Sequence, residues 1–280
     1  MREVEAGRIV QVVAELCVRV NYCLVEDVLR ALKDALRRED SKLGRWALEQ
    51  VLENARIARE GKLPLCQDTG IVVVFVRVGQ DLRIVGGSLE EAIQEGVRRG
   101  YRDGYLRKSV VRDPLRRENT GDNTPAVVHY RVVPGEELGI ALMAKGAGSE
   151  NMSGLAMLTP ADGIEGVRRF VVEQVRMAGG KPCPPVIVGV GIGGNLELCA
   201  LLAKEALLRP VGERNPDPFY ARMEEELLSE INSLGIGPQG FGGRVTALDV
   251  RVKVAPCHIA SLPVAVNIQC HSARHAKIRI

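Results

Sequence analysis

The segment Ile71 to Val76 is unbroken by any polar residue, closes at Arg77, and apart from Phe75 is β-branched throughout. Branching at Cβ favours a pleated strand over a helix, so a chain built around this run must contain sheet. The run is also far shorter than the roughly 18 apolar residues a membrane-spanning helix requires. Arg2, Glu3, Glu5 and Arg8 break up any apolar core of a signal peptide, which makes a cytoplasmic protein the expectation.

Upstream of that run the periodicity is helical. Ile9, Val12, Val13, Leu16 and Cys17 recur at helix spacing, then Leu29, Leu32 and Leu36, then Leu48, Val51, Leu52 and Ala55. Gly61 and Pro64 close this section. Downstream, strand-like pieces at 71–78, 126–133, 138–144, 186–190 and 245–254 alternate with helix signals. Ser88 with Glu91 reads as a capping box opening a helix toward Arg107, and Thr159-Pro160 and Asp217-Pro218 mark two further helix starts. The expected fold is mixed α/β: one domain over 1–280, with a helical N-terminal section at 1–60 and a mixed sheet-and-helix body at 61–280. No internal repeat or long linker divides it.

The 38 basic and 35 acidic residues leave a formal charge of +3, too small to draw the chain to nucleic acid or anionic lipid. Seven cysteines, odd in number and widely spaced, do not make a disulfide framework in a chain without an export signal. Some of these thiols are therefore candidate ligands.

Three segments could carry chemistry. Leu65-Cys66-Gln67-Asp68-Thr69-Gly70 lies in a turn between helix and strand, the kind of loop on which a rigid scaffold presents reactive groups. Its Asp-Thr-Gly also occurs in aspartic proteases, but the second such triplet that their paired carboxylates need is missing. Next, Gly189, Gly191 and Gly194 fit G-x-G-x-x-G between a strand and the apolar helix Leu196 to Leu208, with Glu213 beyond. Formally this is a dinucleotide fingerprint, and a nucleotide-binding oxidoreductase is the alternative reading from a different class. Last, Asp249 to Lys253 reads as a strand of alternating charge, followed by the turn at Cys257 and His258 and a second strand ending at Cys270.

Zinc is disfavoured because no Cys-x-x-Cys occurs. Cys66, Cys183 and Cys270 sit isolated in loops 117 and 87 residues apart in sequence, Cys66 just after Pro64 and Cys183 between two prolines, an arrangement open to an iron–sulfur cluster, which gathers thiolates from distant loops. Cys17, Cys23 and Cys199 fall within helical apolar patterns and read as buried small hydrophobes, and Cys257 fits either description.

Taken in order, six motifs over nearly the whole chain resemble the alpha subunit of iron–sulfur hydro-lyases, the class I fumarate hydratase and L-tartrate dehydratase family. They are 65–70, Tyr105-Leu106-Arg107 with Asn119 to Pro125, Lys145 to Asn151, Cys183-Pro184-Pro185 with Gly191 to Gly194, Asp249 to Lys253, and His258 with Leu262-Pro263 and Cys270. The resemblance implies a [4Fe-4S] cluster on Cys66, Cys183 and Cys270 with one iron lacking a protein ligand. That iron serves as a Lewis acid in the reversible hydration of fumarate to malate, or in tartrate dehydration.

The same resemblance assigns Gln67 and Asp68 beside the substrate and Arg107 as a guanidinium clamp on a carboxylate. Gly146, Gly148 and Ser149 are implied to offer backbone N–H groups, although this chain has Ala147 where fumarases often have a third glycine. His258 is implied to reach the site of a neighbouring copy, which predicts self-association. The sequence stops ten residues after Cys270, where single-chain relatives continue into a further domain, so a separate beta subunit and an α2β2 assembly are expected. His129, His271 and His275 read as structural or surface residues.

Overall fold

The computed structural model describes residues 2–280, which form two compact units. The first comprises residues up to Val25, Asn54–Ala147 and Arg274–Ile280, and the second Glu26–Glu53 and Gly148–Ala273. In chain order the elements are β1 (Arg2–Glu5), α1 (Ala6–Tyr22), α2 (Glu26–Arg38), α3 (Lys42–Gly61), β2 (Ile71–Gly79), β3 (Leu82–Val85), α4 (Leu89–Asp103), β4 (Val127–Val133) and β5 (Leu138–Lys145). Then follow α5 (Ala147–Glu150), β6 (Gly154–Leu158), α6 (Gly163–Ala178), β7 (Val186–Gly193), α7 (Leu196–Ala206), α8 (Pro218–Ser233), β8 (Ala247–Ala255), β9 (Leu262–Gln269) and β10 (His275–Arg279). The fold is mixed α/β, as expected. The helical start is present too, but its helices are shared out: α1 belongs to the first unit and α2 to the second, while α3 runs from one into the other.

In the first unit a sheet of order β10-β5-β2-β4 has β2 antiparallel to β5 and parallel to β4. Val72, Val74 and Val76 alternate onto one face and are buried with Leu138, Ile140 and Leu142 against Ile9, Val13, Ile93 and Val97 of α1 and α4. Two glycines let the helices meet closely. A Cβ at Gly96 would stand 2.6 Å from Val13 Cβ, and one at Gly100 would stand 2.7 Å from Cys17 Cβ. Ser88 Oγ caps α4 by accepting from the Glu91 amide at 3.1 Å. The helix stops at Gly104 rather than reaching Arg107, because Tyr105 turns left-handed at φ 49.

The second unit repeats the pattern with order β6-β9-β7-β8, in which β7 is antiparallel to β9 and parallel to β8. Every residue of β7 is buried. Val186, Val188 and Val190 pack with Val171 and Val175 of α6 and Leu227 and Ile231 of α8, whereas Cys199 and Ala203 of α7 pack with Ala265 of β9. Asp217 caps α8, accepting from the Phe219 amide at 2.9 Å. Thr159 and Asp162 form a capping box on a 3₁₀ turn at Pro160–Asp162 that leads into α6.

Candidate active site

The stretch entering β2, Leu65 to Gly70, has no regular secondary structure, so its carbonyls need partners from outside it. Side chains supply them. Leu65 O accepts from Asn54 Nδ2 at 2.9 Å, Asp68 O from Arg274 Nη1, Thr69 O from Tyr101 Oη at 2.6 Å and Gly70 O from Asn123 Nδ2 at 3.2 Å. The Leu65 amide donates to Asn21 O at 2.8 Å. Burial pushes the Tyr101 phenol above its usual value, which keeps it a donor. On this pinned loop Cys66 is half-buried and Gln67 exposed, and Cys66 Sγ donates to Gln67 Oε1 at 3.2 Å.

The Asp68 carboxylate is held in one orientation. Oδ1 accepts from the Gly70 amide at 2.9 Å and Oδ2 from the Ala147 amide at 2.8 Å. In the turn expected to offer N–H groups, the Ala147 amide thus donates to this chain's own carboxylate. Gly146 is buried, Gly148 is exposed and Ser149 is buried. Ala147 has no left-handed angle, so alanine costs nothing there, and neither does Gly146. What glycine spares at Gly146 is a tight contact, because a Cβ would lie 3.1 Å from both Arg274 Nη2 and Asp68 Oδ2 and one of them would have to shift by a few tenths of an ångström. Arg107 presents an exposed side chain, and its carbonyl accepts from Thr69 Oγ1 at 2.5 Å, which ties it to the same loop. The first unit therefore brings together Cys66, Gln67, Asp68, Arg107 and Gly146.

The second unit brings together Cys183 and Cys270. Cys183 O accepts from the amide of His271, the residue after Cys270, at 3.4 Å, and His271 Nδ1 lies 3.0 Å from the same carbonyl. Gln239 binds Pro184 O twice, through its amide N–H at 2.8 Å and Nε2 at 2.7 Å, and its Nε2 lies 3.1 Å from His271 Nδ1. Cys183 itself is exposed and left-handed at φ 55, a conformation costing a non-glycine residue of order 1–2 kcal/mol. His258 and Cys257 sit on an exposed turn, where His258 Nδ1 accepts from the Ala260 amide at 3.1 Å and Ile259 is 91% exposed.

None of the seven cysteines forms a disulfide, and they divide by surroundings. Burial raises the Cys17 thiol strongly and pushes that of Cys199 up to about 12, so both stay protonated and fit the expectation of small buried hydrophobes. Among the described residues no group of three or more His, Cys, Asp or Glu side chains could hold a single metal ion. Thiolates that bind different irons of one cluster stand further apart than the ligands of one ion, so a cluster is a separate question.

Two sequence expectations change. Gly189 and Gly191 are closed over by α7: a Cβ at either would stand 2.1 Å from a backbone oxygen, of Ala203 and Cys199 respectively. The Gly194 amide donates to Pro256 O at 3.1 Å, and Asn195 caps α7 with its own side chain. The room a pyrophosphate would use is filled by helix, so these glycines serve packing. Asp249 and Arg251, read as alternating charges, are both fully buried. Asp249 accepts from Arg214 Nη1 at 2.7 Å, the Gly212 amide at 3.0 Å and Arg251 Nε at 3.2 Å. Burial lowers the Arg251 guanidinium below its usual value. Arg274, Tyr101, Asn21 and His271 carried no sequence signal, since hydropathy does not reveal a buried arginine or a carbonyl's partner.

Residues 10–279 match a family model described as fumarate hydratase (Fumerase). A Methanocaldococcus jannaschii protein assigned as L(+)-tartrate dehydratase subunit alpha is 47% identical over 279 residues, 98% of each chain. The L(+)-tartrate dehydratase subunit alpha of Escherichia coli strain K12 is 30% identical over 277 residues, 98% of this chain and 91% of that one. Its counterpart in strain UTI89 is 31% identical over the same length. Among the described residues no helix is long and apolar enough to cross a membrane.

Proposed function

The chain belongs to the fumarate hydratase family of hydro-lyases, and from that footing we propose that it is an alpha subunit acting on a four-carbon 2-hydroxy dicarboxylate with a [4Fe-4S] cluster on Cys66, Cys183 and Cys270. The observation that carries this reading is the bond from the His271 amide to Cys183 O, which ties the loops of two of the three cysteines. Cys66 offers a third accessible sulfur on a loop pinned by side chains, whereas the buried thiols of Cys17 and Cys199 are poor thiolate donors. The left-handed Cys183 also fits a functional position, where backbone strain tends to collect.

When bound, such a cluster supplies a Lewis acid for the substrate hydroxyl. The chain's own residues orient the rest. Asp68, locked by two amides, faces the hydroxyl; Gln67 donates a hydrogen bond; Arg107 clamps a carboxylate through its planar fork. Gly148 and Ser149 line the same turn. His258, on its exposed loop, serves a second copy of the chain. The relatives' names as alpha subunits support a beta partner, which we take as an α2β2 complex working in the cytoplasm.

The test is spectroscopic and then kinetic. Purified without oxygen and supplied with iron and sulfide, the protein is expected to turn brown. Cys66→Ala, Cys183→Ala and Cys270→Ala should each remove the visible absorption, and Cys257→Ala should leave it. Absorption that survives any of the first three changes overturns the ligand set. Fumarate hydration is the activity the motifs imply and L(+)-tartrate dehydration the one named in the relatives, so assaying the α and β pair on both substrates separates them.

A further inference from the structure

Arg274, at the entry to β10, is 2% exposed. Desolvating a guanidinium costs several kcal/mol unless its donors are well used, yet Nε is buried with no hydrogen-bond partner. Nη1 reaches Asn21 Oδ1 at 3.1 Å and also Asp68 O, while Nη2 points to the gap above Gly146 that the Asp68 carboxylate borders on its other side. The carbonyls of Leu65, Thr69 and Gly70 are held by neutral side chains, and Asp68 alone is held by a cation. A neutral donor would satisfy that carbonyl at lower cost, so the arginine's place calls for more than one hydrogen bond.

We propose that Arg274 is a positioning residue for Asp68: Nη1 ties the Asp68 carbonyl to Asn21, and Nη2, held rigidly beside it with Gly146 kept clear, keeps the carboxylate turned onto the Gly70 and Ala147 amides. This rests on the reading of Asp68 as a substrate-facing residue. Lysine does not replace Arg274, because an ammonium on a flexible stem could at most take over the two bonds of Nη1 and would leave nothing in the place of Nη2 beside the gap at Gly146. Gly146 leaves the space beside both groups clear. A methyl group there would press on Nη2 and Oδ2 together, and one of them must give way by a few tenths of an ångström.

The test compares Arg274→Lys, Gly146→Ala and the unaltered chain, each co-expressed with its partner subunit, by amide hydrogen exchange at Gly70 and Ala147, by melting and by kinetics. For Arg274→Lys we expect those two amides to exchange about tenfold faster, with kcat down about 10- to 100-fold and KM within about threefold, as a small misplacement of a reacting group produces. The visible absorption per chain should be unchanged. Gly146→Ala should shift exchange in the same direction by less, and it decides the matter if Arg274→Lys does not fold.

The proposal is overturned if the two amides keep their protection. It is equally overturned if exchange rises evenly over the whole unit while kcat per folded molecule is retained, since that is a purely structural role. Faster exchange at Gly70 and Ala147 in a complex whose unaltered form turns over neither fumarate nor tartrate sinks the hydro-lyase reading and leaves the positioning of Asp68 supported.

Discussion

The two four-stranded sheets share one plan and carry it out differently. Each places an antiparallel pair, a second antiparallel pair and then a parallel one, as β10-β5-β2-β4 and β6-β9-β7-β8. In each, a cysteine lies on the loop into the inner strand, Cys66 before β2 and Cys183 before β7. The chain leaving that strand's antiparallel neighbour passes the same end, at Gly146 after β5 and Cys270 after β9. The glycines sit in different layers, however. In the first unit they lie on helix α4, where Gly96 and Gly100 let α1 approach; in the second they lie on strand β7, where Gly189 and Gly191 let α7 press onto the sheet. Glycine position thus records which two layers come closest, and a glycine-rich strand end can mean helix packing rather than a phosphate.

That contrast is broken most severely at Gly191. An alanine Cβ would meet the Cys199 carbonyl oxygen, which is backbone and cannot rotate aside. Gly191→Ala is expected to cost about 3 kcal/mol or more in denaturant unfolding, at or beyond the top of the overpacking range. At Gly96 the approach is less close, 2.6 Å to Val13 Cβ and 2.9 Å to the Val10 carbonyl oxygen, and alanine is the better helix former, so Gly96→Ala should cost less, about 1–2 kcal/mol. Equal losses would mean that the strand and helix glycines are not doing different jobs.

The cysteine loops differ in the same spirit. Four side chains hold the carbonyls of the first loop, and the buried phenol of Tyr101 serves two of them, Thr69 O and Gly70 O at 3.2 Å. Tyr101→Phe leaves the Thr69 carbonyl without that donor, and an unsatisfied buried group costs about 1–3 kcal/mol. Thermal unfolding of the variant, with exchange at the 65–70 amides, measures it. A loss under about 0.5 kcal/mol would show that the loop does not depend on this latch.

Much of the scaffold was legible in the sequence because its signals are local. The branched run at 71–76, the Ser88 cap and the Asp217-Pro218 start each act within a few residues, and each appears where expected. β1, β3, β6 and β10 were missed: they are only four or five residues each, and the alternation of the last two is blurred by Met157 and Lys277. Asp249 and Arg251 look like an exposed face, but they are buried because their partners, Arg214 and the Gly212 amide, come from a turn more than thirty residues earlier. Arg274 was passed over, and His271 was read only as a structural or surface residue, for the same reason. Their roles are set by the carbonyls of Asp68 and Cys183, acceptors that every residue carries and no motif marks.

Asp122, next to the Asn123 that binds the Gly70 carbonyl, makes the stability of the first unit depend on pH. Burial works to raise its carboxyl, but hydrogen bonds from the Thr124 amide and hydroxyl and from Arg98 Nε overcome this and hold it at about 2. The unfolded value is near 3.9. Its contribution is therefore complete above about pH 4 and is lost as the pH falls through about 2. Because Arg98 is 40% exposed, solvent screens the pair, and Asp122→Asn is expected to cost about 1 kcal/mol at neutral pH. The variant's stability should also fall less steeply between pH 4 and pH 2 than that of the unaltered chain, and an unchanged slope would mean that the carboxyl is not held.

The smallest effect is expected in the second loop. Gln239→Ala removes the Nε2 bond to Pro184 O at 2.7 Å and the contact with His271 Nδ1, but the residue-239 amide still donates to the same carbonyl. No acceptor is stranded, so the cost should be only that of one neutral hydrogen bond, about 0.5–1 kcal/mol. Gln239 is also left-handed at φ 55, and alanine tolerates that angle no better, so the substitution brings no offsetting relief. Measured beside Tyr101→Phe, the smaller loss would show that the second loop relies on backbone donors where the first relies on side chains. If instead Gln239→Ala matches or exceeds Tyr101→Phe, Nε2 is holding more than the Pro184 carbonyl, and its second role is at the His271 ring, which then becomes the anchor that keeps the Cys183 and Cys270 loops together.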